Sequence, residues 1–169
     1  MLRILFVDGE NFKGKIKSVF KEAGKDKLVW HEYDFKGLLD KVLTGIELGR
    51  RVFYFGRIKE HKESKEKSRQ LIEEQRLLKT HLEQQGFEVI LRGRVRGHME
   101  DVDGGKKVLV FKEKGVDVSI AVDMVSTACD KKAEEIIVGS SDSDLQPAIT
   151  ELIRNSEVFE FEKLKGKLL

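Results

Sequence analysis

Hydrophobic residues fall into two patterns along this chain: short continuous runs, and longer stretches where they recur every three or four positions. The runs are Leu2 to Val7, Arg51 to Arg57, Phe87 to Leu91 and Glu135 to Val138. Such runs read as strands buried on both faces of a parallel sheet. The periodic stretches read as helices packed on that sheet. Phe12 to Ala23 carries Phe12, Ile16, Val19, Phe20 and Ala23 on one side, with Gly24 as its stop. Phe35 to Gly49 turns Leu38, Leu39, Val42, Leu43 and Ile46 inward, and a charged segment from Ile58 to Arg76 merges into a helix with Leu71, Ile72, Leu78 and Leu82 that Gly86 closes. Val116 to Ala128 presents Val118, Ala121, Val122, Val125 and Ala128 to the core. A last helix runs from about Ser143 to Arg154, with Pro147 early enough to be tolerated.

Three stretches fit less regularly. Leu28 to Tyr33 reads as a short extended piece, and Val158 to Phe161 as a final edge strand. Arg92 to Gly115 reads as a β-hairpin excursion, with Asp103-Gly104-Gly105 near its tip. Alternating strands and helices predict a three-layer α/β domain, a central mainly parallel sheet flanked by helices. No repeat, low-complexity block or linker divides it, so one domain is expected over 1–162 with a tail at 163–169.

Composition narrows the class. The 169 residues are 40% hydrophobic and 37% charged, which argues against disorder, and the net charge of +2 hides many charges of both signs. The single Cys129 excludes an internal disulfide framework and a cysteine-based zinc cluster. Leu2 to Val7 meets Asp8 too soon for a signal peptide, and no apolar run is long enough for a bilayer, so a cytoplasmic protein is expected.

The chemistry gathers where strands end. Asp8-Gly9-Glu10-Asn11 follows the first run, Asp117 opens a helix, and Gly139-Ser140-Ser141-Asp142-Ser143-Asp144-Leu145 follows Ile136-Ile137-Val138. Open α/β sheets bind ligands at the carboxyl ends of their strands. Carboxylates brought together there repel, and a shared hard cation such as Mg²⁺ or Mn²⁺ resolves the repulsion while keeping positions for water and phosphate. Each aspartate taken alone is more often a helix cap than a ligand; three junctions carrying one shift the balance. Asp8, Asp117 and Asp142 rank first as ligands, Asp144 second and Asp123 third, since Asp123 lies six residues beyond Asp117 on another helix face. Asn11, Ser140 and Ser141 can orient a phosphate or water without adding charge.

Asp8-Gly9-Glu10-Asn11, Lys114-Gly115-Val116-Asp117-Val118, Asp123 and Ser140-Ser141-Asp142-Ser143-Asp144-Leu145, in that order, resemble the NYN domain (LabA-like, DUF88) of the PIN-like nuclease superfamily. The resemblance spans most of the chain. It implies a PIN-like, Rossmann-like fold and a metal-dependent ribonuclease, with Asp8, Asp117, Asp142 and Asp144 at the metal, Asp123 a weaker candidate and Asn11 a polar helper. The stretch from Arg92 to Gly115 is longer and more charged than a minimal link to the Asp117 helix.

An acidic site needs cationic flanks to attract RNA. Arg57, with Lys59 and Lys62, follows the second strand; Arg92, Arg94 and Arg96 follow the third; Lys106, Lys107, Lys112 and Lys114 precede Asp117. The interspersed Lys and Glu from Lys62 to Lys79 read as a solvated helix face. His31, His61, His81 and His98 show no metal spacing, Cys129 reads as core, and Trp30, Tyr33, Phe53 and Phe55 read as packing residues. No P-loop is present. The reading is a Mg²⁺- or Mn²⁺-dependent nuclease acting on RNA. Its rivals are a non-catalytic RNA-binding module that keeps the acidic pocket and a haloacid-dehalogenase-type phosphatase. The latter wants Asp-x-Asp where this chain has Asp8-Gly9-Glu10. A homodimer is open.

Overall fold

The computed structural model describes residues 2–25, 27–60, 65–102 and 106–155, with backbone alone at 96–102, 106–109 and 155. The chain runs β1 (Arg3–Asp8), α1 (Gly9–Glu22), a 3-10 turn (Trp30–Glu32), α2 (Phe35–Val42), β2 (Arg50–Ile58), α3 (Lys65–Gln84), β3 (Glu88–Val102), β4 (Lys106–Lys114), α4 (Val116–Cys129), β5 (Glu135–Gly139), a second 3-10 turn (Ser143–Leu145) and α5 (Gln146–Asn155). The strands form one sheet in the order β4-β3-β2-β1-β5. β1 pairs in parallel with β2 and β5, β3 pairs in parallel with β2, and β4 runs antiparallel to β3. The expected α/β architecture of a PIN-like domain is what the chain forms, and the hairpin is an extension of its sheet.

The continuous apolar runs are explained by burial on both sides. Leu5 and Val7 of β1 face α1, α2 and α3, meeting Phe12, Ile16, Phe35, Leu39, Leu78 and Leu82. Ile4 and Phe6 face α4 and α5, meeting Ile120, Met124, Leu145 and Leu152. Two apolar layers thus clamp one sheet, and β1 at its heart ends in Asp8.

Several expectations are corrected. Trp30 to Glu32 is a 3-10 turn, not an extended piece, because the Trp30, Tyr33 and Phe35 rings fold together over α2's start. α2 ends at Val42 instead of Gly49; Gly45 follows with φ of 85°, a left-handed turn that no helix continues. α4 buries Val116, Ile120, Met124 and Thr127, while Val118 and Val122 are 65% and 53% exposed. Apolar residues surround most of this helix, so periodicity alone selects no face; Ala121, Val125 and Ala128 do pack against the core. Val19 and Ile72, expected inward, are exposed. Cys129, expected in the core, is exposed at the last position of α4. The final helix splits into the 3-10 turn and α5, with Pro147 second in α5.

The tip Asp103-Gly104-Gly105, the residues His61 and Lys62, the edge strand at Val158 to Phe161 and the tail lie outside the described residues, as do the side chains of Arg96, His98, Lys106 and Lys107. Among the described residues, no helix is long and apolar enough to cross a membrane.

Candidate metal centre

Three local structures aim carboxylates at one point. Asp8 leaves β1 in an extended conformation and caps α1, its Oδ1 accepting the Asn11 N–H at 3.0 Å. Asp142 leaves β5 the same way and caps the second 3-10 turn, its Oδ1 accepting the Asp144 N–H at 2.9 Å. Asp117 sits in the first turn of α4, whose cap is Gly115 with φ of 84°. The approach of α4 to the sheet requires Gly93, because a Cβ there would meet the Lys114 carbonyl oxygen at 2.4 Å. Both readings of the aspartates therefore hold at once for Asp8 and Asp142: one carboxylate oxygen caps a helix, and the group still faces its neighbours.

One oxygen from each of Asp8, Asp117 and Asp142 lies within 4.8 Å of the others. Oxygen ligands about 2.1 Å from a hard cation sit about 3–4 Å apart, so modest side-chain rotation closes the set around an ion. Electrostatics favour this. Asp8 is only 5% exposed; burial pushes its carboxyl above the usual aspartate range, the Asn11 N–H pulls the other way, and the charges of Asp117 and Asp142 push further. Asp117 is also raised, by burial first and then by Asp142. Two carboxyls that resist ionising beside a third are stabilised as anions by a divalent cation.

The sequence pattern that defines the NYN domain matches residues 3–163. The chain belongs to the NYN domain family. No curated protein and no solved structure gave a match to it. The NYN domain has a nuclease-type, PIN-like fold, its members generally act as metal-dependent nucleases with RNA as the suggested substrate, and the three clustered aspartates are compatible with metal binding.

Other expected residues of this NYN domain stand at graded distances from the cluster. Asn11 Oδ1 accepts both the N–H and the hydroxyl of Ser141, at 3.0 and 3.2 Å, and so ties the β1 loop to the β5 loop. Ser140 Oγ accepts the Asp142 N–H at 3.1 Å. Both serines position the Asp142 loop. Asp144 is exposed and outside the set of meeting oxygens, though its charge contributes to raising Asp117. Asp123 is engaged elsewhere: it accepts the Tyr54 hydroxyl at 2.8 Å and pairs with Arg92 at 2.9 Å. Burial first, then that hydrogen bond, pushes the Tyr54 hydroxyl well above its ordinary range.

Arg92 is thus held by Asp123, and Arg57 is exposed with its Nη2 donating to the Leu91 carbonyl at 3.4 Å. Arg94 stands opposite Lys114, and Arg96 opposite Lys112, across the β3–β4 ladder. Directly opposed like charges destabilise a sheet. The Arg94–Lys114 pair suits an anion. His81 is structural, its Nε2 lying 2.8 Å from the Tyr33 carbonyl oxygen.

Sequence reasoning missed Glu113. Its Oε2 accepts the Gly56 N–H at 2.7 Å, and its carboxyl is raised to about 7, by burial first and then, against that hydrogen bond, by the charges of Glu10, Asp8 and Asp117. Raised to that value, it is partly protonated near neutrality and adds a carboxyl to the acidic cluster's edge with less than a full charge. A signal existed in the strand alternation, which puts Glu113 on the face of Phe111. The charged neighbours Lys112 and Lys114 mask it.

Proposed function

We propose that this NYN domain is a Mg²⁺- or Mn²⁺-dependent ribonuclease that hydrolyses phosphodiester bonds, a reading carried by the convergence of Asp8, Asp117 and Asp142 within 4.8 Å. These three would hold the cation, with Asp144 the next group available at the rim. A bound divalent ion supplies Lewis acidity toward a phosphoryl oxygen and toward water, and neutralises charge developing in an in-line displacement. The protein's own groups do the rest. Ser141 N–H can only donate, so the Asn11 atom facing it is Oδ1, and the two Nδ2 donors are left to orient a phosphate oxygen or the attacking water. Glu113, raised to about 7, is partly protonated near neutral pH, on the oxygen not engaged by Gly56, which limits repulsion of an incoming phosphate. Arg94, Arg96 and Lys114 along the hairpin, with Arg57, provide cationic flanks that draw the strand in; Arg92 would do so in exchange for its pairing with Asp123. Asp123 supports this reading as an anchor for Arg92 and Tyr54 more than as a ligand.

The test uses Asp8→Asn and Asp142→Asn with several RNAs in Mn²⁺ and in EDTA. Asparagine caps a helix about as well as aspartate, so both variants should fold. Groups that merely orient metal ligands are worth about 10–100-fold, so loss of a ligand itself should lower cleavage by at least the upper end of that range. Mn²⁺ should also raise the thermal midpoint of the parent protein and not that of Asp8→Asn. Undiminished cutting by both variants sinks the mechanism, and RNA binding without any cutting favours a non-catalytic RNA-binding module.

A further inference from the structure

Beside the acidic cluster, on the face covered by α1 and α3, a cavity of about 690 Å³ opens over β2, β3 and β4. Its volume is that of a small-molecule or nucleoside site. One end is lined by Glu10, two residues after Asp8 in the chain, and by Glu113, whose carboxyl is raised in part by the charges of Asp8 and Asp117, so this end adjoins the candidate metal centre. The rings of Trp30, Phe55 and Phe111 line it, over a floor that includes Leu78, Val89 and Leu91. Gly9 is a condition of this shape: a Cβ there would come within 2.1 Å of the Phe55 ring. The residue that follows Asp8 therefore also makes room for an aromatic wall.

Two polar groups give the cavity direction. The Lys13 ammonium lies 3.0 Å from Glu10 Oε1, 5.3 Å from the Trp30 ring centre and 5.7 Å from that of Phe55. It stands between the acidic end and the ring faces, where a phosphate would pass. Gln75 is fixed by β2: its Nε2 donates to the Gly56 carbonyl at 2.8 Å and its Oε1 accepts the Ile58 N–H at 3.3 Å. One N–H and one lone pair of that amide remain, an adjacent donor and acceptor of the kind that pairs with a base edge.

We propose that this cavity receives one unpaired nucleobase of the strand whose phosphate lies at the acidic cluster. For the strand's placement the proposal rests on the nuclease reading above. Single-stranded nucleic acid is bound by stacking bases on aromatic side chains and by reading their edges. An aliphatic chain in the same place would cover the Lys13–Glu10 pair and leave the remaining N–H and lone pair of the Gln75 amide unmatched, at a cost. A base held in a duplex cannot enter, so the cavity makes the site selective for single strands and for the nucleotide next to the cut.

Trp30 is the only tryptophan of the chain, so its fluorescence reports on the cavity directly. The protein in EDTA is titrated with a short oligoadenylate and with the same oligomer carrying abasic ribose throughout. The base-bearing oligomer should change Trp30 emission and bind more tightly. Phe111→Ala, at the sheet edge, should weaken it by roughly 5- to 150-fold, the range for loss of one stacking partner, and should leave the abasic oligomer unaffected. Gln75→Leu should reduce discrimination among oligomers of different base. Equal binding and equal emission with both oligomers overturns the proposal, as does full affinity in Phe111→Ala. The two readings separate cleanly. RNA cutting in Mn²⁺ without a base-dependent Trp30 response removes the base pocket and keeps the nuclease; a base-dependent response without cutting supports the pocket and removes the nuclease.

Discussion

Beneath α4 and α5 the sheet is covered by Ile4, Val52, Ile136 and Val138 meeting Ile120, Met124, Leu145 and Leu152, a mainly aliphatic layer with one stacked aromatic pair, Phe6 and Tyr54. Beneath α1, α2 and α3 the layer is aromatic: Phe12, Phe35, Phe53, Phe55 and Phe87 are buried, with Trp30 and Tyr33 packed against them. Branched aliphatic chains interdigitate closely and leave few voids. Flat rings meet edge to face, as Phe53 does with Phe12, Phe35 and Phe87. The aliphatic side holds α4 and the β5 loop firmly, which fixes Asp117 and Asp142. The aromatic side carries the cavity, and α1 on this side supplies Glu10 and Asn11. The acidic cluster lies on the seam, where a rigid support meets a space for ligand.

That contrast can be broken first at its rigid half. Ile120 is fully buried, and Ile120→Ala should cost about 2–5 kcal/mol of stability, measured by urea denaturation. Because the same helix carries Asp117, Mn²⁺ should stabilise this variant less than the parent. A cost well below 1 kcal/mol would show that the aliphatic layer is not what braces the site.

At the open half the informative variable is pH. Glu113 has a folded-state carboxyl raised to about 7 against an ordinary value of 4.5. The folded protein therefore binds this proton more tightly than the unfolded chain does. Its contribution to stability is fully present below about 4.5 and is lost as pH rises through about 7. In EDTA, the thermal midpoint should decline across that window. Glu113→Gln, which can still accept the Gly56 N–H, should flatten the decline. A parallel profile in the variant would mean that Glu113 is solvated and titrates normally.

The smallest effect sharpens the boundary of the aliphatic layer. Val118 is 65% exposed, so Val118→Ser should shift stability by no more than about 0.5 kcal/mol in calorimetry. A large loss there would move the buried face of α4 back to where its apolar spacing first suggested.

What the sequence by itself determined is the order of elements and the identity of the acidic corners. Continuous apolar runs such as Leu2 to Val7 are buried on both sides, and a strand that ends in Asp8, or whose following loop carries Asp142, brings a carboxylate to the sheet's carboxyl edge. Local chemistry was enough for these, because burial and capping act within a few residues. Tertiary structure decided what local patterns leave open. Apolar residues around α4 gave no preferred face, and contact with β1 and β2 chose Ile120 and Met124 over Val118 and Val122. The pairing of Asp123 with Tyr54 and Arg92 joins residues 69 and 31 positions apart, beyond any periodicity. Glu113 carries no motif; its protonation depends on burial beside Gly56 and on carboxylates from three other elements. The cavity, likewise, exists only because Gly9 admits the Phe55 ring and β3 runs on past Gly93 to pair with β4. Charge–charge and packing energies depend on distance in space, and only the folded sheet sets those distances.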